Sequence, residues 1–318
     1  MEVIGQLLLQ LLLLVFGFVL LIKGADWFVD GAAGIAKKFG IPELVIGLTI
    51  VAMGTSAPEA AVSISAAFKG TADITVGNVV GSNILNILII LGITAVIIPV
   101  AVQKSTMKTE IPFMIVITLV MLLLGVTGGE ITRLEACWLI GLFLVYLAYL
   151  FKMAKDGKSD AEDNGANKKE KPIWQLFLLC VIGVVMIVFG SDFSVDAATA
   201  IAKIFGVSDR FIALTVVALG TSLPELVTSV TAAKKGSADI AIGNVVGSNI
   251  FNILFVVGLT AIITPVPFAS KFIVDMSIAA VAGVLLLIGV WKHKELRRPT
   301  GIVMLVGYLG YFVYLLFS

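Results

Sequence analysis

Charge is scarce in this 318-residue chain: only 14% of its residues are Asp, Glu, Lys or Arg, and they nearly cancel to a net +1. A soluble domain of this length needs a far more polar surface. No basic cluster interleaved with aromatics is present to hold nucleic acid. Cysteine and histidine are scarcer still. Two cysteines, Cys137 and Cys180, and a single histidine, His293, spell neither a disulfide framework nor a zinc site. Both cysteines lie in apolar runs and read as small lipid- or helix-facing residues, while His293, within WKHKELRR, reads as a solvated loop residue. An intramembrane protease would want two aspartates, or Ser with His, at mid-membrane. No such pair occurs, so the chain is not expected to be an enzyme.

What abounds is apolar. Hydrophobic residues make up 59% of the chain, and its mean hydropathy is +1.09. Runs of about 17–25 apolar residues, the length of a helix that crosses a hydrocarbon core, recur throughout. The chain reads as an all-α integral membrane protein of ten transmembrane helices, at about 4–35, 42–68, 73–99, 109–127, 131–151, 173–202, 209–234, 239–265, 272–291 and 299–317. The first run lacks a basic start and a small-x-small cleavage pattern, and reads as a span rather than a signal peptide.

One hydrophilic stretch, 152–172, is charged and rich in Asn, Gly and Ser, and reads as a flexible linker between five-helix units at 1–151 and 173–318. Shifting the register by 166 residues lays one unit on the other: Asp26 falls on Asp192, Asp30 on Asp196, and Glu59 on Glu225. Between TIVAMGTSAPEA (49–60) and TVVALGTSLPEL (215–226), eight of twelve positions are identical. Between DITVGNVVGSNILNIL (73–88) and DIAIGNVVGSNIFNIL (239–254), thirteen of sixteen are. Composition bias does not produce such identity; the units are a duplication, most alike at about 42–99 and 209–265.

Five spans is an odd number, so the second unit is expected to enter the bilayer from the opposite side, as an inverted repeat. Loops and flanks on the linker's side carry 16 Lys and Arg, against 5 on the other. That asymmetry places the linker in the cytoplasm and both termini outside, in a cell membrane.

The polar residues inside these apolar runs carry the chemistry. A carboxylate at the bilayer centre costs about 2.5–3.5 kcal/mol even on lenient insertion scales, so Glu59 and Glu225 need partners. Each ends a GTS-x-PE motif whose proline cannot donate a backbone hydrogen bond, freeing a carbonyl near Gly54 or Gly220 beside Thr55, Ser56, Thr221 and Ser222. Broken helices that offer carbonyls and hydroxyls next to a carboxylate make a cation site. On a helix, Ser82 shares a face with Asn86, and Ser248 with Asn252. Glycines 77, 81, 243 and 247 let neighbouring helices approach. Hard oxygen donors of this kind suit Ca²⁺ and Na⁺. Asn78, Asn244, Asn83 and Asn249 read as interhelical hydrogen bonders, and Asp26, Asp30, Asp192 and Asp196 as interfacial residues.

In these motifs the chain resembles the sodium/calcium exchanger family of the cation/calcium antiporters, whose two alpha-repeats are matched by GTSAPE with GNVVGSNILN and by GTSLPE with GNVVGSNIFN. The resemblance covers essentially the whole chain. It implies a compact prokaryotic-type antiporter with Na⁺ and Ca²⁺ as transported ions, no cofactor, and no obligatory protein partner within the lipid bilayer. It places ion ligands on Thr55, Ser56, Glu59, Ser82, Asn86, Thr221, Ser222, Glu225, Ser248 and Asn252, and adds the backbone carbonyls of Ala52 and Ala218. The first and sixth spans would slide as the gate. Some members, including potassium-dependent ones, carry aspartate where Asn252 stands; two carboxylates without a third imply exchange that does not need K⁺, and the family's usual ratio of three Na⁺ per Ca²⁺ would make it electrogenic. Proton-coupled calcium exchangers of the same superfamily typically place an acidic residue in the helix where Val80 and Gly81 stand here. A proton/cation exchanger and a cation channel remain the alternatives.

Overall fold

Apolar runs this long can satisfy their own backbone N–H and C=O groups in lipid only as helices or closed barrels. The computed structural model, which describes residues 2–157, 171–207 and 218–317, is built of helices joined by short turns and four two-residue strands. The helices are α1 (Glu2–Phe39), α2 (Glu43–Thr55), α3 (Ala57–Phe68), α4 (Ile74–Ile97), α5 (Thr106–Gly128) and α6 (Arg133–Gly157). After the linker come α7 (Ile173–Ile204), α8 (Ala218–Thr221), α9 (Leu223–Lys234), α10 (Ala238–Ile263), α11 (Phe272–Trp291) and α12 (Arg298–Phe317). Among the described residues eight are long and apolar enough to cross a membrane, or nine spans if the bent pair α2–α3 counts as one. The first part of the span expected at 209–234 lies outside the described residues, as do linker residues 158–170.

The linker starts later than its composition suggests. Helix α6 runs on through Lys152 to Gly157, because Met153 and Ala154 still pack against the core while Lys152 and Lys155 stay exposed on the opposite face. Lys, Met and Ala are good helix formers, so charge alone does not end the helix.

Burial sorts the helices into an inner and an outer set. In α4 and α10, 72% and 78% of the most apolar window is buried, against 39% or less in the other six unbroken spans, so these two lie at the centre. The outer helices expose large apolar side chains such as Phe16, Leu123, Trp138 and Phe177, as a lipid-facing surface does. Helices α1 and α7 meet along glycines: a Cβ on Gly17 would lie 2.8 Å from Gly190 O, and one on Gly24 2.8 Å from Gly183 O. The order of those contacts makes α1 and α7 antiparallel, with their backbones touching. Short antiparallel strands tie the connecting loops, β1 (Val100–Ala101) to β4 (Glu295–Leu296) and β2 (Glu130–Ile131) to β3 (Val266–Pro267).

Among the described residues, three of the inner segments depart from regular α-helix. Gly47–Val51, Asn86–Leu91 and Asn252–Val257 are π-helical, each turn holding an extra residue. Between α2 and α3 the chain bends by 50°. The glycines of α10 allow α2 to lie directly on it. A Cβ on Gly247 would stand 2.8 Å from Leu48 Cα, Leu48 O and Ala52 Cβ, and one on Gly243 3.1 Å from Gly47 Cα and Leu44 O.

That contact generates a stability prediction. Gly247→Ala drives a methyl into backbone that cannot yield, and should cost about 1–3 kcal/mol, read as a lower thermal midpoint of the detergent-solubilised protein. The control is Gly141→Ala on the exposed face of α6, where a Cβ meets nothing within 4 Å; it should leave the midpoint unchanged or raise it. Equal effects of the two substitutions would contradict the close α2–α10 packing.

Candidate ion-binding site

Two prolines create the site. Pro58 and Pro224 stand in the first turns of α3 and α9, where a missing N–H leaves no gap in the helix ladder. The preceding helices stop at Ser56 and Ser222, whose backbones leave the helix with φ/ψ of −83°/8° and −93°/4°. The restarted helices carry Glu59 and Glu225 in their first turns, where the unpaired N–H groups favour negative charge. Both glutamates are fully buried.

The two carboxylates are held by hydroxyls and by each other's neighbourhoods. Ser56 Oγ donates to Glu225 Oε1 at 2.9 Å, so the residue one turn ahead of Glu59 binds the other glutamate. Ser82 Oγ donates to Glu59 Oε1 at 3.3 Å, which brings α4 to the same point. The remaining oxygens, Glu59 Oε2 and Glu225 Oε2, are buried without a hydrogen-bond partner, and so are Asn86 Oδ1, Asn252 Oδ1 and Ser222 Oγ. Buried polar atoms are nearly always paired. Five unpaired oxygens, with carboxylates from two broken helices and amides from the two central ones, form a donor set that a hard cation would satisfy. Among the described residues no cluster of three or more His, Cys, Asp or Glu exists, so the charge available is that of two carboxylates.

A second ring of bonds fixes these groups. Asn78 Nδ2 donates to Glu59 O at 3.1 Å and to Ser63 Oγ at 2.9 Å; 166 residues on, Asn244 Nδ2 donates to Glu225 O at 3.3 Å and Ser229 Oγ at 2.9 Å. The asparagines expected to join helices therefore hold the backbone of each glutamate. Asn83 and Asn249 also bond across helices, linking α4 with α10. Ser63 and Ser229 escaped the sequence reading, although each stands four residues after its glutamate and they coincide under the same shift. Ser191 escaped it too: from α7 it donates to Gly220 O at 2.7 Å, capping the carbonyl that Pro224 frees. Its counterpart under the shift is Ala25, so the repeat gave no signal for it.

Other expected site residues face different partners. Thr55 is buried, and its Oγ1 lies 3.1 Å from Val51 O and 3.0 Å from Asn244 Oδ1. Ser248 Oγ donates to Ala52 O at 3.3 Å, a carbonyl that also accepts the Ser56 N–H at 3.0 Å. Ala218 and Thr221 bound the short helix α8. The four aspartates lie away from this centre: Asp26 and Asp30 on α1 meet Lys235, with Asp30 Oδ1 2.7 Å and Asp26 Oδ1 3.3 Å from Nζ.

Comparison with known proteins agrees with this architecture. The family model described as sodium/calcium exchanger protein matches residues 9–152 and 175–317. CaxA of Alkalimonas amylolytica is 40% identical over 320 residues, spanning 98% of this chain and all of its own. The sodium/calcium exchanger MaX1 of Methanosarcina acetivorans is 34% identical across 96% of this chain and 98% of its own. A solved structure of the sodium-calcium exchanger NCX_Mj, soaked with zero Na⁺ and Ca²⁺, superposes with a TM-score of 0.83 at 31% identity, covering 97% of this chain and 99% of that one. Helical fold, buried glutamate pair and whole-length similarity converge: this chain belongs to the sodium/calcium exchanger protein family, and it is a membrane transporter rather than an enzyme.

Proposed function

We propose that this protein is a secondary antiporter that exchanges Na⁺ for Ca²⁺ at the Glu59–Glu225 centre, by alternating access. The observation that carries the reading is the pair of fully buried glutamates, each with one oxygen unpartnered, together with further buried and unpartnered amide and hydroxyl oxygens of Asn86, Asn252 and Ser222. Ser56, Glu59, Ser82 and Asn86 from the first unit, and Ser222, Glu225 and Asn252 from the second, supply the ligands. Thr55, Thr221, Ser248 and the carbonyls of Ala52 and Ala218 complete the set as occupancy changes. Two carboxylates close together in a low dielectric repel each other and are poorly solvated when nothing is bound. Crossing the membrane empty is therefore slow, while one Ca²⁺ or several Na⁺ cancel the charge. That makes exchange obligatory.

The two units are inverted copies, with the linker in the cytoplasm and the termini outside. Support comes from direction: α1 and α7 coincide under the 166-residue shift, yet they run antiparallel. The strands agree. Helix α5 leads from β1 to β2, whereas its counterpart α11 leads from β3, paired with β2, to β4, paired with β1. Alternation draws support from an asymmetry. Lys235 is bonded to Asp26 and Asp30, whereas the matching residues Lys69, Asp192 and Asp196 carry no ion pair among the described residues. Equivalent ends of the molecule thus differ, as any single state of an alternating carrier requires.

Asparagine at 252 bears on K⁺. It keeps a carbonyl oxygen without adding charge, so Ca²⁺ alone balances Glu59 and Glu225 and an added K⁺ would be an uncompensated buried cation. In a cycle of three Na⁺ per Ca²⁺, one net charge crosses, worth about 2.3 kcal/mol per 100 mV.

Two predictions follow from this site. Glu59→Gln and Glu225→Gln should each fold and each lower Ca²⁺ flux in proteoliposomes by at least about a hundredfold, since removing one partner from a buried charged cluster costs about 3–5 kcal/mol. Flux near wild type in both variants would remove these residues from the site. In the wild-type protein, ⁴⁵Ca²⁺ uptake should need an imposed Na⁺ gradient, respond to a potential clamped with an ionophore, and be the same in K⁺ as in an inert large cation. Uptake driven equally well by a proton gradient would favour the proton exchanger, and uptake without any counter-ion gradient would favour a channel.

A further inference from the structure

The central asparagines are bonded in a chain whose polarity leaves no freedom. Asn83 Nδ2 donates to the backbone carbonyl of Asn249 at 3.3 Å, and Asn249 Nδ2 donates to that of Asn83 at 3.2 Å. A carbonyl cannot donate, so each of these amides must turn its nitrogen toward the opposite helix. Their oxygens then accept: Asn83 Oδ1 from Asn252 Nδ2 at 3.1 Å, and Asn249 Oδ1 from Asn86 Nδ2 at 2.9 Å. Asn249 Nδ2 has a further contact, with Met114 Sδ at 3.6 Å. Once Asn86 and Asn252 have committed their nitrogens, only their oxygens are left, and those are buried and unpartnered. All four asparagines are at most 4% exposed, so water does not compete for these positions.

From this geometry we infer that Asn83 and Asn249 are positioning residues that set the cation affinity of the site, each acting on the asparagine of the other unit. Asn83 orients Asn252, and Asn249 orients Asn86. Without them the ligating amides are free to flip and present NH₂, which repels a cation. The arrangement also demands a donor at 252. An ionised carboxylate there would set oxygen against Asn83 Oδ1, so asparagine at 252 and asparagine at 83 belong together. The π-helical turns that begin at Asn86 and Asn252 carry the same sense, since each starts at a residue whose orientation is imposed from the facing helix.

The inference rests on Asn86 and Asn252 being ion ligands, and double-mutant cycles separate the two claims. The readout is the Ca²⁺ concentration giving half-maximal Na⁺-driven ⁴⁵Ca²⁺ uptake in proteoliposomes, which is independent of how much of the protein is active. Asn83→Ala and Asn249→Ala should each raise it by about ten- to a hundredfold, the usual consequence of losing the partner that orients a ligand. Adding Asn249→Ala to Asn86→Ala should change nothing further, and likewise Asn83→Ala on Asn252→Ala. Within one unit, Asn83 with Asn86 or Asn249 with Asn252, the factors should multiply. If an alanine variant does not accumulate, serine at that position enters the same cycle. Multiplication in every pair, or coupling within a unit instead of across, overturns the positioning role. Unchanged affinity in Asn86→Ala and Asn252→Ala overturns the ligand assignment itself.

Discussion

Two carboxylates withdrawn from water set the terms for the whole interior. Glu59 and Glu225 lie at 0% exposure, and the effective penalty for burying such ions is several kcal/mol each unless hydrogen bonds and opposite charge offset it. No Lys, Arg or His bonds either glutamate among the described residues. On the reading proposed here, the offset comes from hydroxyls, from helix N-termini and from a cation that arrives and leaves. A fixed partner would make a stable protein and a useless carrier. Leaving the charge to be balanced by cargo would, on that proposal, tie each conformational step to occupancy.

Much of the rest serves that condition. Helix breaks at Ser56 and Ser222 turn N–H groups toward the carboxylates. Glycine at 247 lets α10 lie against the backbone of α2, which brings the second unit's amides within reach of the first unit's broken helix. Asn78 and Asn244 tie the glutamate backbones to the central helices, so the proposed ligands are carried on helices rather than on loops. Around this frame α1 and α7 touch backbone to backbone at glycines, while Phe16 and Phe193 meet edge to face with ring centroids 5.6 Å apart.

The parts legible in the sequence are those where residue type is out of keeping with its surroundings. A glutamate in an apolar run is conspicuous, and a second at the same place in a repeat is more so; Ser82 and Asn86 could be paired by helical spacing alone. Residues 83 and 249 could be read as helix-bridging but not as orienting, because amide polarity follows from which carbonyl lies opposite, and no residue pattern states that. The π-helical turns at Asn86 and Asn252 left no trace either, since an extra residue in a turn is accommodated by packing rather than by propensity. Ser191 was invisible because it lacks a repeat partner. The end of α6 was misplaced for a simpler reason: a hydrophilic segment can still be helical when one face touches the core.

Anomalous diffraction from crystals soaked in Sr²⁺ bears most directly on the claim that the unpartnered oxygens between the two units hold the transported cation. The account predicts one strong peak within coordination distance of Glu59 Oε2 and Glu225 Oε2 together, flanked by Asn86 Oδ1 and Asn252 Oδ1, and lost when excess Na⁺ is added. A peak that touches only one glutamate, or lies elsewhere in the molecule and is indifferent to Na⁺, would contradict it.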